Sequence, residues 1–306
     1  MKLKPYLSVL LILFLLVPAL SAFSQDVDAD KLLDETTQKK KDTATQYVDG
    51  TFLSTRIVDG HTVETTQKGV LDFRISHRFG TLNQGIYELF GLDNASMRLG
   101  FDYGLSDRFT VGLGRSTFEK QYDGFLKYRL LWQSEGQRKM PVSLTFVASM
   151  IIKTLKDPTG AKIKSTDRYY YSYQALLARK FSEGFSLQLM PTIIHYNMVP
   201  DASLKNNFYS IGAGARVKLT KRLSLNAEYY YQLPGNKIEG TYNALSVGVD
   251  IVTAGHVFQL HLTNSTGMTE RTVITETTGR WSKGDIHFGF NVSRVFTVKK
   301  PKRVNL

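Results

Sequence analysis

The stretch Arg222-Leu-Ser-Leu-Asn-Ala-Glu-Tyr-Tyr-Tyr-Gln-Leu233 settles the fold class. Leu223, Leu225, Ala227, Tyr229, Tyr231 and Leu233 fall on one side, and Arg222, Ser224, Asn226, Glu228, Tyr230 and Gln232 on the other. Period two is the signature of a strand with two different environments. Phe185, Leu187, Leu189, Pro191 and Ile193 oppose Ser186, Gln188, Met190 and Thr192 in the same way, and 141–153 and 242–252 alternate likewise. Working outward, twelve such strands are expected: 69–78, 95–104, 108–116, 122–133, 141–153, 168–181, 184–197, 207–219, 222–233, 242–252, 255–265 and 284–297. They run longer than the roughly 5–6 residues of ordinary strands and match the roughly 9–11 that cross a bilayer.

The connections form a second pattern. Leu105-Ser-Asp-Arg108, 134–140, Ser182-Glu-Gly184, Lys221-Arg222 and Thr253-Ala-Gly255 are short, whereas 79–94, 154–167, 198–206, 234–241 and 266–283 are long and only 117–121 breaks the alternation. Short turns at one rim and long loops at the other describe an up-and-down barrel, with both ends of the barrel segment on the periplasmic side. The face opposite the apolar one is mostly Ser, Gly, Thr and Gln with scattered charge, a lumen lining, whereas a soluble sandwich, the alternative, presents more Lys and Glu. The expected fold is therefore an all-β transmembrane antiparallel barrel of about 12 strands, preceded by a signal peptide.

The 306 residues divide accordingly. Residues 1–24 carry Lys2 and Lys4, an apolar run from Tyr6 to Val17 and the small pair Ala22 and Ser24 around Phe23, which predicts export and cleavage before Gln25. Twelve apolar residues are too few for a helix that must cross with about 20. Residues 25–50 read as a flexible periplasmic leader, and 51–68, with Asp59-Gly60 between two alternating runs, as a hairpin outside the barrel or a first irregular strand. The barrel spans 69–297, and 298–306, with Lys299-Lys-Pro-Lys-Arg303, form a basic periplasmic tail. Arg294 interrupts the outward face of the last strand, and Phe296 is not the terminal residue, an unusual end for a chain that the barrel-assembly machinery must insert.

The chain has 39 basic and 27 acidic residues, 42% hydrophobic content, 18 Phe, 16 Tyr and no Cys. Without cysteine there is no disulfide, thiolate metal site, thiol nucleophile or lipoprotein anchor. No cofactor and no metal ligation follow from the sequence, and an exported barrel of this charge gives no reason to expect nucleic acid.

Several runs resemble a known family: Leu71-Asp-Phe-Arg-Ile-Ser-His-Arg-Phe-Gly80, Arg98-Leu-Gly-Phe-Asp-Tyr-Gly-Leu-Ser-Asp-Arg108, Tyr122-Asp-Gly-Phe-Leu-Lys-Tyr128, Gly255-His-Val-Phe-Gln-Leu-His-Leu-Thr-Asn-Ser265 and Gly284-Asp-Ile-His-Phe-Gly-Phe-Asn291. They are similar to a bacterial family of membrane-bound β-barrel domains of unknown function. The resemblance covers most of 51–297 and implies the outer membrane; it brings no catalytic or binding residue with it.

Parity places Asp72, Arg74, Arg98, Asp102, Lys127, Arg129, Arg216, Glu228 and Asp250 on the lumen side, with Arg78, Lys180, Lys218, His261 and His287 beside them. Basic residues dominate that set, and a water-filled lumen of that sign concentrates anions. The leading expectation is thus a passive pore or uptake channel for small anionic solutes. The alternative is a non-conducting barrel whose charges pair across strands, as Asp72 with Arg98 or Asp102 with Arg74, and whose 26–68 leader and 266–283 loop bind a periplasmic or surface partner. A weaker reading, a lipid-acting hydrolase, rests on His77 and His195 on the outward face; no nucleophile or metal motif accompanies them. In the 79–94 connection, Asn83 is placed to cap a short helix, and the segment either enters the mouth or covers the rim.

Overall fold

A computed structural model describes residues 45–157, 160 and 164–299. The expected signal peptide, most of the leader and residues 300–306 of the tail lie outside the described residues. Twelve strands close on themselves: β1 (Val70–Thr81), β2 (Ala95–Ser106), β3 (Phe109–Ser116), β4 (Gln121–Leu131), β5 (Ser143–Lys153), β6 (Tyr169–Lys180), β7 (Phe185–Tyr196), β8 (Asn207–Lys218), β9 (Leu223–Gln232), β10 (Ala244–Thr253), β11 (His256–Thr263) and β12 (His287–Thr297). Every neighbour is antiparallel, and β12 pairs back onto β1 with Phe290 opposite His77 and Thr297 opposite Val70. Closure leaves no unpaired sheet edge, as lipid demands. A strand of 12 residues is roughly 40 Å long and, tilted by about 40°, rises about 30 Å, the thickness of a hydrocarbon core.

The alternation read from the sequence is the alternation of environments. On β7, Phe185, Leu187, Leu189 and Ile193 face outward, while Ser186, Gln188, Met190 and Thr192 are buried inside. Arg294 does face outward, near the short-turn rim, where its guanidinium lies 5.1 Å from the Phe296 ring. Tyr173, Tyr209, Tyr229 and Tyr231 point outward and suit an interfacial aromatic girdle, whereas Tyr170 and Tyr196 turn inward and are buried.

The hydrophobic core lies within the barrel, and that arrangement has two causes. Residues 51–66 form the expected hairpin, with Arg56 bridged to His61 and the turn at Ile57 to Gly60, but the segment is inside the barrel rather than beside it. It enters from the short-turn rim, where Gln46 and Tyr47 pair with Glu135 and Ser134, and returns to that rim to start β1. At Gly69 the chain takes a left-handed φ of 76° and passes so close to the Lys299 carbonyl that a side chain there would collide with it. From the opposite rim, the 264–280 connection folds inward and carries helix α1 (Glu270–Thr275), most of it buried. Phe52, Ile57 and Val63 of the hairpin and Val273 and Ile274 of α1 pack with Ile151, Met190, Ile194, Phe208 and Tyr230 of the wall.

Candidate functional site

A hairpin within a barrel brings polar backbone groups away from water, so the wall must satisfy them. Glu228 on β9 accepts the Val58, Asp59 and Gly60 N–H groups at 3.3, 2.9 and 3.0 Å, a carboxylate seated in the hairpin tip. Gln259 donates to the Ile57 carbonyl at 2.8 Å and Asn291 to that of Val58 at 2.9 Å. Gln188 accepts from Val63 N–H at 2.8 Å and donates to the His61 carbonyl at 2.7 Å. Close approach is possible because β8 has no side chain at Gly214, where a Cβ would overlap Ile57 Cδ1.

All nine residues assigned to the lumen by parity are buried and face inward, at 6% exposure or less. They do not line an open channel, because the hairpin holds most of them. Arg129 donates to the Val63 carbonyl at 3.1 and 3.0 Å and to Glu64 at 2.9 Å. Arg216 donates to the carbonyls of Gly50 at 2.6 Å and Thr51 at 3.2 Å, and Lys127 to that of Thr55 at 3.4 Å. Arg74 donates to the Ser54 and Thr55 hydroxyls at 2.8 Å and to Asp72 at 3.3 Å; Asp102 accepts from Arg56 at 3.5 Å. Asp250 accepts from Gln259 at 2.9 Å.

The expected cross-strand pairs are not formed. The register sets Asp72 opposite Asp102 and Arg74 opposite Gly100, so neither Asp72–Arg98 nor Asp102–Arg74 is a facing pair. Arg98 instead forms a two-point ion pair with Asp123 on β4. Asp123 has the same parity as Lys127 and Arg129, which was the available signal.

Two further links join the hairpin to the long-loop side. Arg78 donates to both oxygens of Asp59, at 2.9 and 3.1 Å, and to the Ser265 carbonyl at 2.6 Å, so one guanidinium holds the hairpin tip and the inward loop together. His61 Nε2 donates to Glu270 at the start of α1 at 2.9 Å, and Ser149 donates to the same oxygen at 3.1 Å. Burial first, then the cations of Arg56 and Lys127, hold the His61 imidazole well below its ordinary value. Helix α1 is itself pinned by Arg271, which lies 4.2 Å from the Tyr170 ring and pairs with Glu119 and Glu276. Burial pushes the Glu119 carboxyl up, but Arg271 and Lys153 outweigh it and leave it below the usual carboxylate range. The 266–283 segment is thus largely an internal element rather than the free surface loop expected for a partner.

Below the hairpin, at the short-turn rim, a cavity of about 840 Å³ opens between Glu64, Asp107, Arg108, Arg129 and Trp132. No group of three or more potential metal ligands is present among the described residues. On the outer face, His77 stacks on Phe290 at 5.0 Å, and His195 Nδ1 lies 2.7 Å from Asn207 Oδ1. Among the described residues, no hydroxyl is hydrogen bonded to either ring.

A family model described as "Membrane bound beta barrel domain (DUF5777)" matches residues 52–296. No curated protein matches the chain. Among solved structures the chain is similar to the NanC porin, at 8% identity and a TM-score of 0.47 over 74% of this chain and 98% of that one. It is also similar to the KdgM porin, at 9% identity and 0.44 over 74% and 99%. A third likeness is to an active-site mutant of outer membrane phospholipase A from Escherichia coli, at 11% identity and 0.46 over 81% and 98%. At these identities the likenesses concern fold, and no solute or reaction is taken from them.

Proposed function

The chain belongs to the membrane bound beta barrel domain family, and from that premise we propose that it is an outer-membrane pore-type barrel held shut by its own hairpin, which admits small anionic solutes when the hairpin withdraws. The observation that carries this reading is chemical. The hairpin places the carboxylates of Asp59 and Glu64 on Arg78 and Arg129, and backbone carbonyls on Arg216 and Lys127, the positions an anion would use. Withdrawal frees these four cations and three carboxylates, Glu228, Asp102 and Glu270, while Arg98 keeps Asp123 and Arg74 keeps Asp72. The freed groups carry one more positive than negative charge, and it is this exposed set of Arg78, Arg129, Arg216 and Lys127 that would favour anions. No catalytic step and no cofactor enter this mechanism; a periplasmic partner that grips the 25–50 leader would supply the pull.

The absence of native cysteine gives a direct test. Ile57→Cys with Gly214→Cys brings two thiols together where side chain and wall meet. Reconstituted in liposomes, the oxidised pair should pass no solute, and the reduced pair should pass anions faster than cations of equal size. No flux from either state, with the barrel folded, would favour the second reading, a permanently closed barrel that acts by binding. That reading draws on the number of bonds holding the hairpin.

A further inference from the structure

The β1–β2 connection, 82–94, takes no part in closing the lumen, and its composition is odd for a loop in water. Ile86 is 81% and Tyr87 90% exposed, and Leu89, Phe90 and Leu92 are about half exposed beside them. This is not a loose segment. Phe90 N–H donates to the Gly85 carbonyl at 2.7 Å, Asn94 to the Glu88 carboxylate at 3.2 Å, and Asn83 to Asp285 at 2.7 Å. Leu89 and Phe90 have φ of 44° and 55°, the left-handed region that non-glycine residues adopt at a cost. The backbone is thus strained into a shape that presents apolar side chains outward, and none of the described residues covers them. Clusters of this kind mark a surface that meets another apolar phase.

The neighbouring wall identifies that phase. Directly below the loop, the outward residues of β1 and β12 form an aromatic patch: Phe79 stacks on Phe288 at 5.8 Å and His77 on Phe290 at 5.0 Å. The loop is rooted on the same two strands, through Gly80 N–H to the Asn94 carbonyl and Leu82 N–H to that of Ile286, both 2.8 Å. The loop is therefore held at the end of the strands that carry this outward aromatic patch. We propose that the β1–β2 loop is a membrane-surface anchor that seats Ile86, Tyr87, Leu89 and Phe90 in the outer leaflet at the boundary of headgroups and acyl chains. An apolar body with a hydroxyl end, as in Tyr87, suits that depth.

A single fluorophore tests it. Tyr87→Cys, labelled with an environment-sensitive dye, is compared in the full chain with Gly235→Cys on the β9–β10 connection, where there is open space around the backbone. Both are reconstituted into phosphatidylcholine vesicles with or without a lipid bearing a nitroxide near the headgroup end of its acyl chain. The anchor predicts that the dye at 87 is quenched by the nitroxide lipid and protected several-fold from aqueous iodide, with the dye at 235 showing the reverse. Equal access of iodide to both positions overturns the proposal, and so does protection of 87 from both quenchers, which would mean burial against protein. Ile86→Cys repeats the reading if labelling at 87 perturbs the barrel.

Discussion

Replacing Asp59 by alanine removes the hairpin's own anchor while leaving every wall residue in place. The Asp59 side chain is 4% exposed and receives two bonds from Arg78, whose side chain is fully buried. Breaking a buried pair from one side costs about 3–5 kcal/mol, because the remaining charge is left uncompensated. Here the lower end applies, about 3 kcal/mol, since Arg78 keeps the Ser265 carbonyl and the three backbone bonds to Glu228 survive. At about 1.4 kcal/mol per factor of ten, that loss raises the population with the hairpin withdrawn by roughly 10²-fold. Planar-bilayer recording reads it as a matching rise in open probability with unchanged unit conductance, because the pore itself is the same. Unchanged open probability, in a variant whose hairpin has become accessible to protease, would refute the link between hairpin and conduction.

Three further outcomes follow from the same contacts. Ile57→Ala empties a fully buried position against Gly214 and should weaken docking by about 3 kcal/mol, measured as faster cleavage of the 51–66 segment by added protease. His61 has a depressed value when docked and an ordinary one of about 6.5 when the hairpin is free, so the free form binds more protons. Docking is then complete above about pH 6.5 and weakens by up to about 1.4 kcal/mol per unit below it, and His61→Gln should flatten the dependence of open probability on pH. Arg271→Met removes the pairs to Glu119 and Glu276 and the contact with Tyr170, and should expose α1 to hydrogen exchange while the twelve strands stay protected.

How much of this was written in the chain can be judged residue by residue. All twelve strands were legible, because a barrel wall separates lipid from lumen at every second residue and the sequence must alternate to match. The same parity turned Arg74, Arg98, Lys127 and Glu228 inward. What parity lacks is the third dimension of the lumen. Asp59-Gly60 announced a turn, but a polar hairpin in water and one against a polar lumen have the same composition, so its place inside the barrel was not readable. Helix α1 has six residues in a long connection and little period of its own; it is stable because Arg271 and Val273 find partners on the wall. The ion pairs depended on register, and a shift that sets Asp72 opposite Asp102 redirects Arg98 to Asp123.

The central claim is that residues 51–66 occupy the lumen, and the rate at which a single thiol at position 57 reacts with a bulky hydrophilic maleimide tests it most directly. With Ile57→Cys in the reconstituted full chain, the account predicts a rate well below that for Gly235→Cys in open solvent, since position 57 is buried against the wall and reacts only when the hairpin leaves it. Equal rates at the two positions would place the hairpin outside the barrel and contradict the account.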